Sequence, residues 1–585
     1  MASVVLCGLS GHVRADNNTA RKPITVFVAN KIITMDPGWT TGTAVAVRDG
    51  KILSVGSLTE LKPWLDSAPY TIDRRFENKV LMPGFVEAHG HPILGGILLN
   101  LPLLTYLPTV RPYGPIFPGV KTRQEAEALM RKYVLEARDP HQTVFIWGWD
   151  VVAMGGRHLD KTILDRIAPS QPLIVWDASE HFIYANSAEM KKVGVTDDAF
   201  KVNGVMAGAD GHLNGQFLGT TAARVILRHE FSPLLAPEYA LPRLRSLLDL
   251  SVKGGITTQS ELALGLQDYA TEEKLYRARF SQADAPTRCV VVCDGVSAAR
   301  LRKEKAIEFI RGLEQSSTDY LIFKGVKFFS DDSFVGLGMV MDPPGYIDGH
   351  KGIFILQPGN EIRDAMMPWW KAGFHIHIHS NGSGGNASTI EALSEMQAAY
   401  PRIDHRFTIE HFGESTPEMA RRVKALGAVV SINPYYVYYR GELNAPFMGT
   451  DLAYTASRLR SALAAGLTVS LHSDTPIGPP RPLEWAWIAV NRFGQDGKVL
   501  GPDERVSVAQ ALRMITIDAA YTLGVEDKVG SIEAGKFADF TVLDQDPFAV
   551  RPEKLRDIHV WGTVIGGRPQ PADAIRPPAA LANPN

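Results

Sequence analysis

Between residues 254 and 474 the chain repeats one pattern, a short apolar run that reads as a buried strand followed by a stretch of other character. The runs are GGITTQSEL (254–262), RCVVVCD (288–294), FKGVKFFS (323–330), GFHIHIHS (373–380), RFTIEHF (406–412), AVVSINP (428–434) and LTVSLHSD (467–474). Helical stretches are expected at 361–372, 389–400, 416–426 and 454–465, between the later runs. Repeated βα units of this length predict a parallel sheet. PLIVWDA (172–178), ahead of a helical 186–192, reads as a further strand, and VLMPGFVEA (80–88) supplies the first. The total is about eight, the number that closes a (β/α)8 TIM barrel in the α/β class. A doubly wound open sheet is the alternative. No G-x-G-x-x-G follows the first strand, which counts against its dinucleotide-binding form.

Both chain ends read differently. Residues 24–56 alternate like strands, broken by Asp36-Pro37-Gly38 and by Asp49-Gly50, a hairpin signal. A similar β-rich text occupies 528–567. The expectation is a β-sandwich subdomain built from both termini. The corresponding division is a flexible segment or signal remnant (1–23), an N-terminal contribution to the sandwich (24–79), the barrel (80–520), and a C-terminal contribution to the sandwich with a tail (521–585). Residues 4–11 are mildly apolar and Val13-Arg14-Ala15 loosely resembles a cleavage site, but a basic leader is missing. A cytoplasmic protein, or a periplasmic or secreted one with residues 1–15 as a signal remnant, both stay open. The Pro-rich stretch 99–120 and residues 331–356 read as loops over the barrel mouth.

A net charge of −2 with no Lys/Arg-rich block argues against nucleic acid or an anionic membrane surface as partner. No apolar run is long enough to span a bilayer. Cys7, Cys289 and Cys293 make neither a disulfide framework nor a cysteine zinc site. A small-molecule substrate is the expected partner, and a homodimer stays open.

The chemistry concentrates at strand ends. His89-Gly90-His91 closes the run at 80–92, and side chains two apart on a strand point to the same side, so both imidazoles can grip one metal ion. Barrel chemistry sits at the C-terminal ends of strands. Lys327, His379, His411 and Asp474 fall at such ends. Lys324, at an odd offset from Lys327, faces the other side. His375, His377 and His472 read as hydrogen-bonded fillers of the barrel interior. G-x-S-x-G is absent, so no serine-nucleophile motif competes.

Taken jointly, PGFVEAHGHP, GVKFF, the strand-end His379 and His411, SDTP and EAGKFADFTVLD resemble the amidohydrolase superfamily. GWDVVAMGGRHLD (148–160), ASEHFIYANSAEM (178–190) and GVMAGADGHLNGQF (204–217) are similar to its YtcJ-like branch, which includes N-substituted formamide deformylase. The resemblance covers roughly residues 24–570. It implies two divalent metals per chain, zinc being the expected ion. His89, His91 and Asp474 would hold one and His379 and His411 the other, bridged by a CO2-derived carbamate on Lys327. It further implies attack by a metal-bound hydroxide on a carbonyl, with Asp474 moving the proton and His181 donating to the developing oxyanion. The function so implied is hydrolysis of an amide-type C–N bond in a small N-acyl or N-formyl compound. Ester, lactone or carbamate hydrolysis, ring deamination and a non-catalytic regulatory relative are the alternatives. Glu87-Ala88 before the His pair, Ser330-Asp331-Asp332-Ser333 and Ser380-Asn381-Gly382-Ser383 depart from the family pattern, so substrate choice does not transfer from relatives.

Overall fold

The computed structural model describes residues 22–582 except Ala283. The expectations for a signal remnant and for Cys7 lie outside the described residues.

Eight strands form one all-parallel sheet: β1 (Phe85–Val86), β2 (Ile256–Leu264), β3 (Arg288–Asp294), β4 (Leu321–Phe329), β5 (Ile376–Ser380), β6 (Thr408–His411), β7 (Val429–Ile432) and β8 (Val469–Leu471), hydrogen-bonded in that order. The sheet curls until its ends meet. The Asp474 N–H donates to the His89 carbonyl at 3.1 Å and the His91 N–H to the Thr475 carbonyl at 3.1 Å, which joins the exits of β8 and β1 into a TIM-like barrel. Every residue of β2 and β3 is buried, which is why these strands read as unbroken runs rather than alternating ones. Among the described residues no helix is long and apolar enough to cross a membrane.

Two departures from the expected strand list have a physical cause. PLIVWDA does not enter the barrel. Leu173–Asp177 is one strand of a separate five-stranded sheet with Val144–Trp149, Phe182–Ala185, Leu213–Leu218 and Val205–Ala207, inserted between β1 and β2. All five residues of that strand are buried, and a fully buried strand has the same apolar signature in either sheet. The run at 80–88 is also two strands. Its first half continues Tyr70–Pro83 and its second is β1, with Gly84 at the switch. A Cβ on Gly84 would lie 1.9 Å from Thr257 Oγ1, so only glycine fits there.

Both chain ends meet in one seven-stranded sheet, ordered Arg568–Pro571, Val560–Ile565, Phe540–Leu543, Tyr70–Pro83, Ile24–Ile33, Thr41–Arg48, Lys51–Gly56. Shared construction from the two termini is therefore present as a single hydrogen-bonded layer. Asp49 and Gly50, at φ of 55° and 73°, make the tight hairpin turn that their dipeptide signals. The layer is bolted to the barrel through Asp539. Its carboxylate accepts from Arg288 at the start of β3 at 2.6 and 3.0 Å and from the Gly566 N–H at 2.7 Å, with both side chains almost fully buried. The same guanidinium lies over the Phe537 ring, 3.6 Å from its centroid.

Asp539→Ala should strand a buried guanidinium and destabilise the protein by about 3–5 kcal/mol, whereas the apolar pair Arg288→Met with Asp539→Leu should cost far less. Thermal and denaturant melts of the two variants check this, and equal losses would count against the pair as the bolt.

Candidate metal centre

The histidine pair leaves β1 at its C-terminal end, as the pattern requires. The His89 and His91 rings sit edge to face with centroids 5.4 Å apart. Asp474, just past β8, brings Oδ1 to 3.5 Å from His89 Nε2 and 3.7 Å from His91 Nε2. Lys327, fully buried in β4, places Nζ 3.4 Å from His89 Nε2. Lys324 lies lower in the same strand, near His375 and Gly524, and the register shift at Gly325 (φ 79°) interrupts the alternation between it and Lys327. His411 ends β6 with its ring centroid 4.7 Å from that of His89 and Nδ1 3.9 Å from Asp474 Oδ2. The His379 ring, from the end of β5, is 4.4 Å from His411. Thus all six sequence-proposed ligands reach one rim, although their donor atoms do not all converge. His89, His91 and Asp474 form one group whose donors lie within 4.8 Å of one another, while His379 Nε2 instead accepts from the Asn381 side-chain amide at 2.9 Å.

One residue read as a filler lies within the cluster. His472 Nε2 is 3.2 Å from His411 Nδ1, and His89, His411 and His472 form a second group of donors within 4.8 Å. The strand-end offset from Asp474 is even, so both side chains face the barrel axis. His377, by contrast, stays in the interior, bound to Glu410.

The orienting groups escaped the sequence reading. Glu410 accepts from His89 Nδ1 at 2.8 Å and from His377 Nδ1 at 2.7 Å. Glu261 accepts from His91 Nδ1 at 3.0 Å and from the Tyr276 hydroxyl. Each bond fixes the tautomer that leaves Nε2 as a lone pair facing the centre. Ser431 Oγ holds His472 Nδ1 at 2.8 Å. The available signal was a Glu inside an apolar strand run (TIEH, ITTQSEL), since a buried carboxylate demands partners. Glu410 and His411 are adjacent, yet both side chains serve the site because His411 adopts φ of 73° and breaks the strand's alternation.

The electrostatics suit cation binding. Burial pushes His89, His379, His411 and His472 well below the usual histidine range, so their rings are neutral donors. Burial lowers Lys327 to about 8 against the pull of Glu410 and Asp474. Burial raises the Asp474 carboxyl above the usual carboxylate range, with His91 and Lys327 beside it opposing the rise. His411 Nε2 is buried with no hydrogen-bond partner among the described residues, an orphaned donor that a metal ion would satisfy. A cavity of roughly 800 Å³ opens onto the cluster, walled by Trp176, Glu180, His181, Arg224 and Tyr436 among others. In His181, the Asp332 carboxylate, 3.0 Å from Nδ1, outweighs burial and raises the imidazole pKa. Both candidate loops reach the mouth. Ser333 and Val335 line this cavity, and Thr105–Val110 lines an adjoining one with Trp147, Tyr435 and Tyr439.

Residues 76–570 match the family model described as the amidohydrolase family. The chain is 26% identical to Protein LONG AFTER FAR-RED 3 of Arabidopsis thaliana over 92% of its length and 90% of that protein's. It is equally identical to the N-substituted formamide deformylase of Arthrobacter pascens, over 94% of this chain and 98% of that one, in keeping with the branch that the 148–217 motifs resemble. A metal-dependent hydrolase of Pyrococcus horikoshii superposes with a TM-score of 0.67 at 18% identity, covering 90% of this chain and 99% of that one, a likeness of fold.

Glu410→Gln and Glu261→Gln should each weaken metal affinity 10–100-fold with the fold intact, because each loosens one imidazole. Competition against a chelator of known affinity measures this; unchanged affinity in both variants would remove the carboxylates from the site's support.

Proposed function

The chain belongs to the amidohydrolase family, and on that premise we propose that it hydrolyses an amide-type C–N bond of a small N-acyl or N-formyl compound at a centre of two divalent cations. The observation that carries this reading is the convergence of His89, His91 and Asp474 on one point with the Lys327 amine 3.4 Å from His89 Nε2. Imidazole and carboxylate donors suit zinc. Divalent cations bound there would activate water and polarise a carbonyl oxygen. The likeness to an N-substituted formamide deformylase supports the acyl or formyl class of substrate.

Lys327 is the chain's candidate bridge. An ammonium has no lone pair for a metal, but a neutral amine can attack CO2, lose a proton and become a carbamate with two anionic oxygens. A pKa of about 8, set by burial against the pull of Glu410 and Asp474, leaves part of the amine neutral at physiological pH. His379 and His411 would complete the second cation's ligands, and His472 is placed to support His411. Asp474, held against both imidazoles of the first group, is the group positioned to take a proton from the attacking water and return it to the leaving nitrogen. His181, whose protonated form the adjacent Asp332 carboxylate favours, faces the same cavity and would donate to the oxygen as it gains charge.

Lys327→Ala should reduce bound metal from about two ions per chain to one or fewer and abolish turnover. Elemental analysis alongside an activity screen on N-acyl amines, N-acyl amino acids, esters and carbamates tests both, and two retained ions would refute the bridge. A wild-type ratio near one ion, with release of ammonia from a ring substrate, would favour deamination instead. Asp474→Asn should keep the fold while lowering kcat about 10²–10⁴-fold; wild-type turnover in that variant would exclude it as the proton carrier.

A further inference from the structure

Beside the metal cavity lies a second open space of roughly 820 Å³ whose lining is unusual in charge. Arg224, Arg228 and Arg300 border it together with Gln267, Thr221 and two valines, and no carboxylate does. Arg224 and Arg228 stand one turn apart on the helix Thr220–Glu230, so they share a face. Arg300 approaches from the helix Gly295–Arg302, which follows β3. Arg224 and Gln267 also line the metal cavity, so Arg224 borders both spaces while Arg228 and Arg300 border the outer one.

None of the three forms an ion pair within 4 Å among the described residues. The half-buried Arg224 donates to the Leu266 carbonyl and Arg228 Nε to the ring of its neighbour His229. The nearest carboxylates are engaged elsewhere. Asp294 caps the Ser297 N–H at 2.6 Å, and Glu272 accepts from the Gly265, Gln267 and Asp268 amides. Burial lowers Arg224's proton affinity, Asp294 opposes this and Arg300 adds to it, yet a guanidinium stays charged. Three clustered cations, one of them half-buried, repel one another unless an anion joins them, and the planar guanidinium fork matches a carboxylate.

Resting on the amide-hydrolase reading, we propose that the substrate is a carboxylate-bearing amide, such as an N-formyl or N-acyl amino acid. Arg224 receives its carboxylate, and Arg228 and Arg300 draw it inward. The scissile bond then lies over the metal centre while Arg224, which lines the same cavity, holds the anionic end away from Asp474.

The test uses the metal-loaded full chain and three matched probes: N-formyl-leucine, its neutral amide N-formyl-leucinamide, and its phosphonate counterpart. In wild type, kcat/KM for the carboxylate should exceed that for the neutral amide at least tenfold, mainly through KM, and the gap should narrow as salt rises. Arg224→Gln should shrink the ratio at least tenfold, Arg224→Lys should restore some of it, and Arg300→Gln should mainly remove the salt dependence. Equal kcat/KM for carboxylate and amide overturns the proposal and leaves amide hydrolysis standing, and a tenfold preference for the phosphonate overturns the choice of carboxylate. If no probe is turned over, the hydrolase reading fails by itself. Calorimetric binding of N-formyl-leucine then decides: affinity lost in Arg224→Gln supports the anion site, and equal affinity in the two proteins overturns it.

Discussion

Two backbone hydrogen bonds between the exits of β1 and β8 hold the site together. They join His89 to Asp474 and His91 to Thr475, segments nearly 400 residues apart in sequence. Without them the barrel is an open curved sheet, and the donors that form one cluster would face solvent from opposite edges. The seam is reinforced from the side chains. Buried Glu87, whose carboxyl is pushed up to about 8 by burial, accepts from the Ser473 N–H at 3.0 Å and from the Ser473 hydroxyl. Glu87, one of the departures from the family pattern, thus serves the closure of the barrel.

The centre concentrates buried polar groups that would be costly singly and are tolerable together. Glu410, fully buried, is satisfied by two imidazoles, and Glu261 by an imidazole and a phenol. These carboxylates also oppose the burial that drives the Lys327 amine toward neutrality. Among the described residues His411 Nε2, at the cluster, and His377 Nε2, deeper in the barrel, stay without a hydrogen-bond partner. The first is an imidazole lone pair free to receive a cation.

How legible this was in the sequence depended on whether a residue's role follows from period. Lys327, His379 and His411 stand at or near the C-terminal ends of their strands, where the repeated pattern put them. The Asp49-Gly50 hairpin was equally direct. Alternation failed where the backbone leaves the extended region. His411 at φ of 73° aims a side chain that a regular strand would send elsewhere. His472 looked like a filler because its partner His411 lies on a neighbouring strand but one, a contact set by barrel curvature rather than by local pattern. PLIVWDA was assigned to the barrel because full burial erases the difference between one sheet and another.

The division of labour follows from where the insertion sits. Every sequence-proposed metal ligand comes from the barrel strands or their first exit residues, which parallel pairing holds in register. Trp176, Glu180, His181 and Arg224, which wall the cavity without belonging to the donor groups, all come from the segment between β1 and β2. That segment is free to vary without disturbing the barrel ladder. Glu180 shows the consequence: it adopts φ of 67°, where a side chain is strained, and buries one carboxylate oxygen without a partner at the cavity wall. Strain and an orphaned polar atom at the same residue are tolerable in a region of the fold that meets a ligand rather than holds the structure. On the proposed reading, the barrel supplies the reaction, and the insertion, with Arg224 and Arg228 on one side and Glu180 and His181 on the other, supplies the choice of molecule.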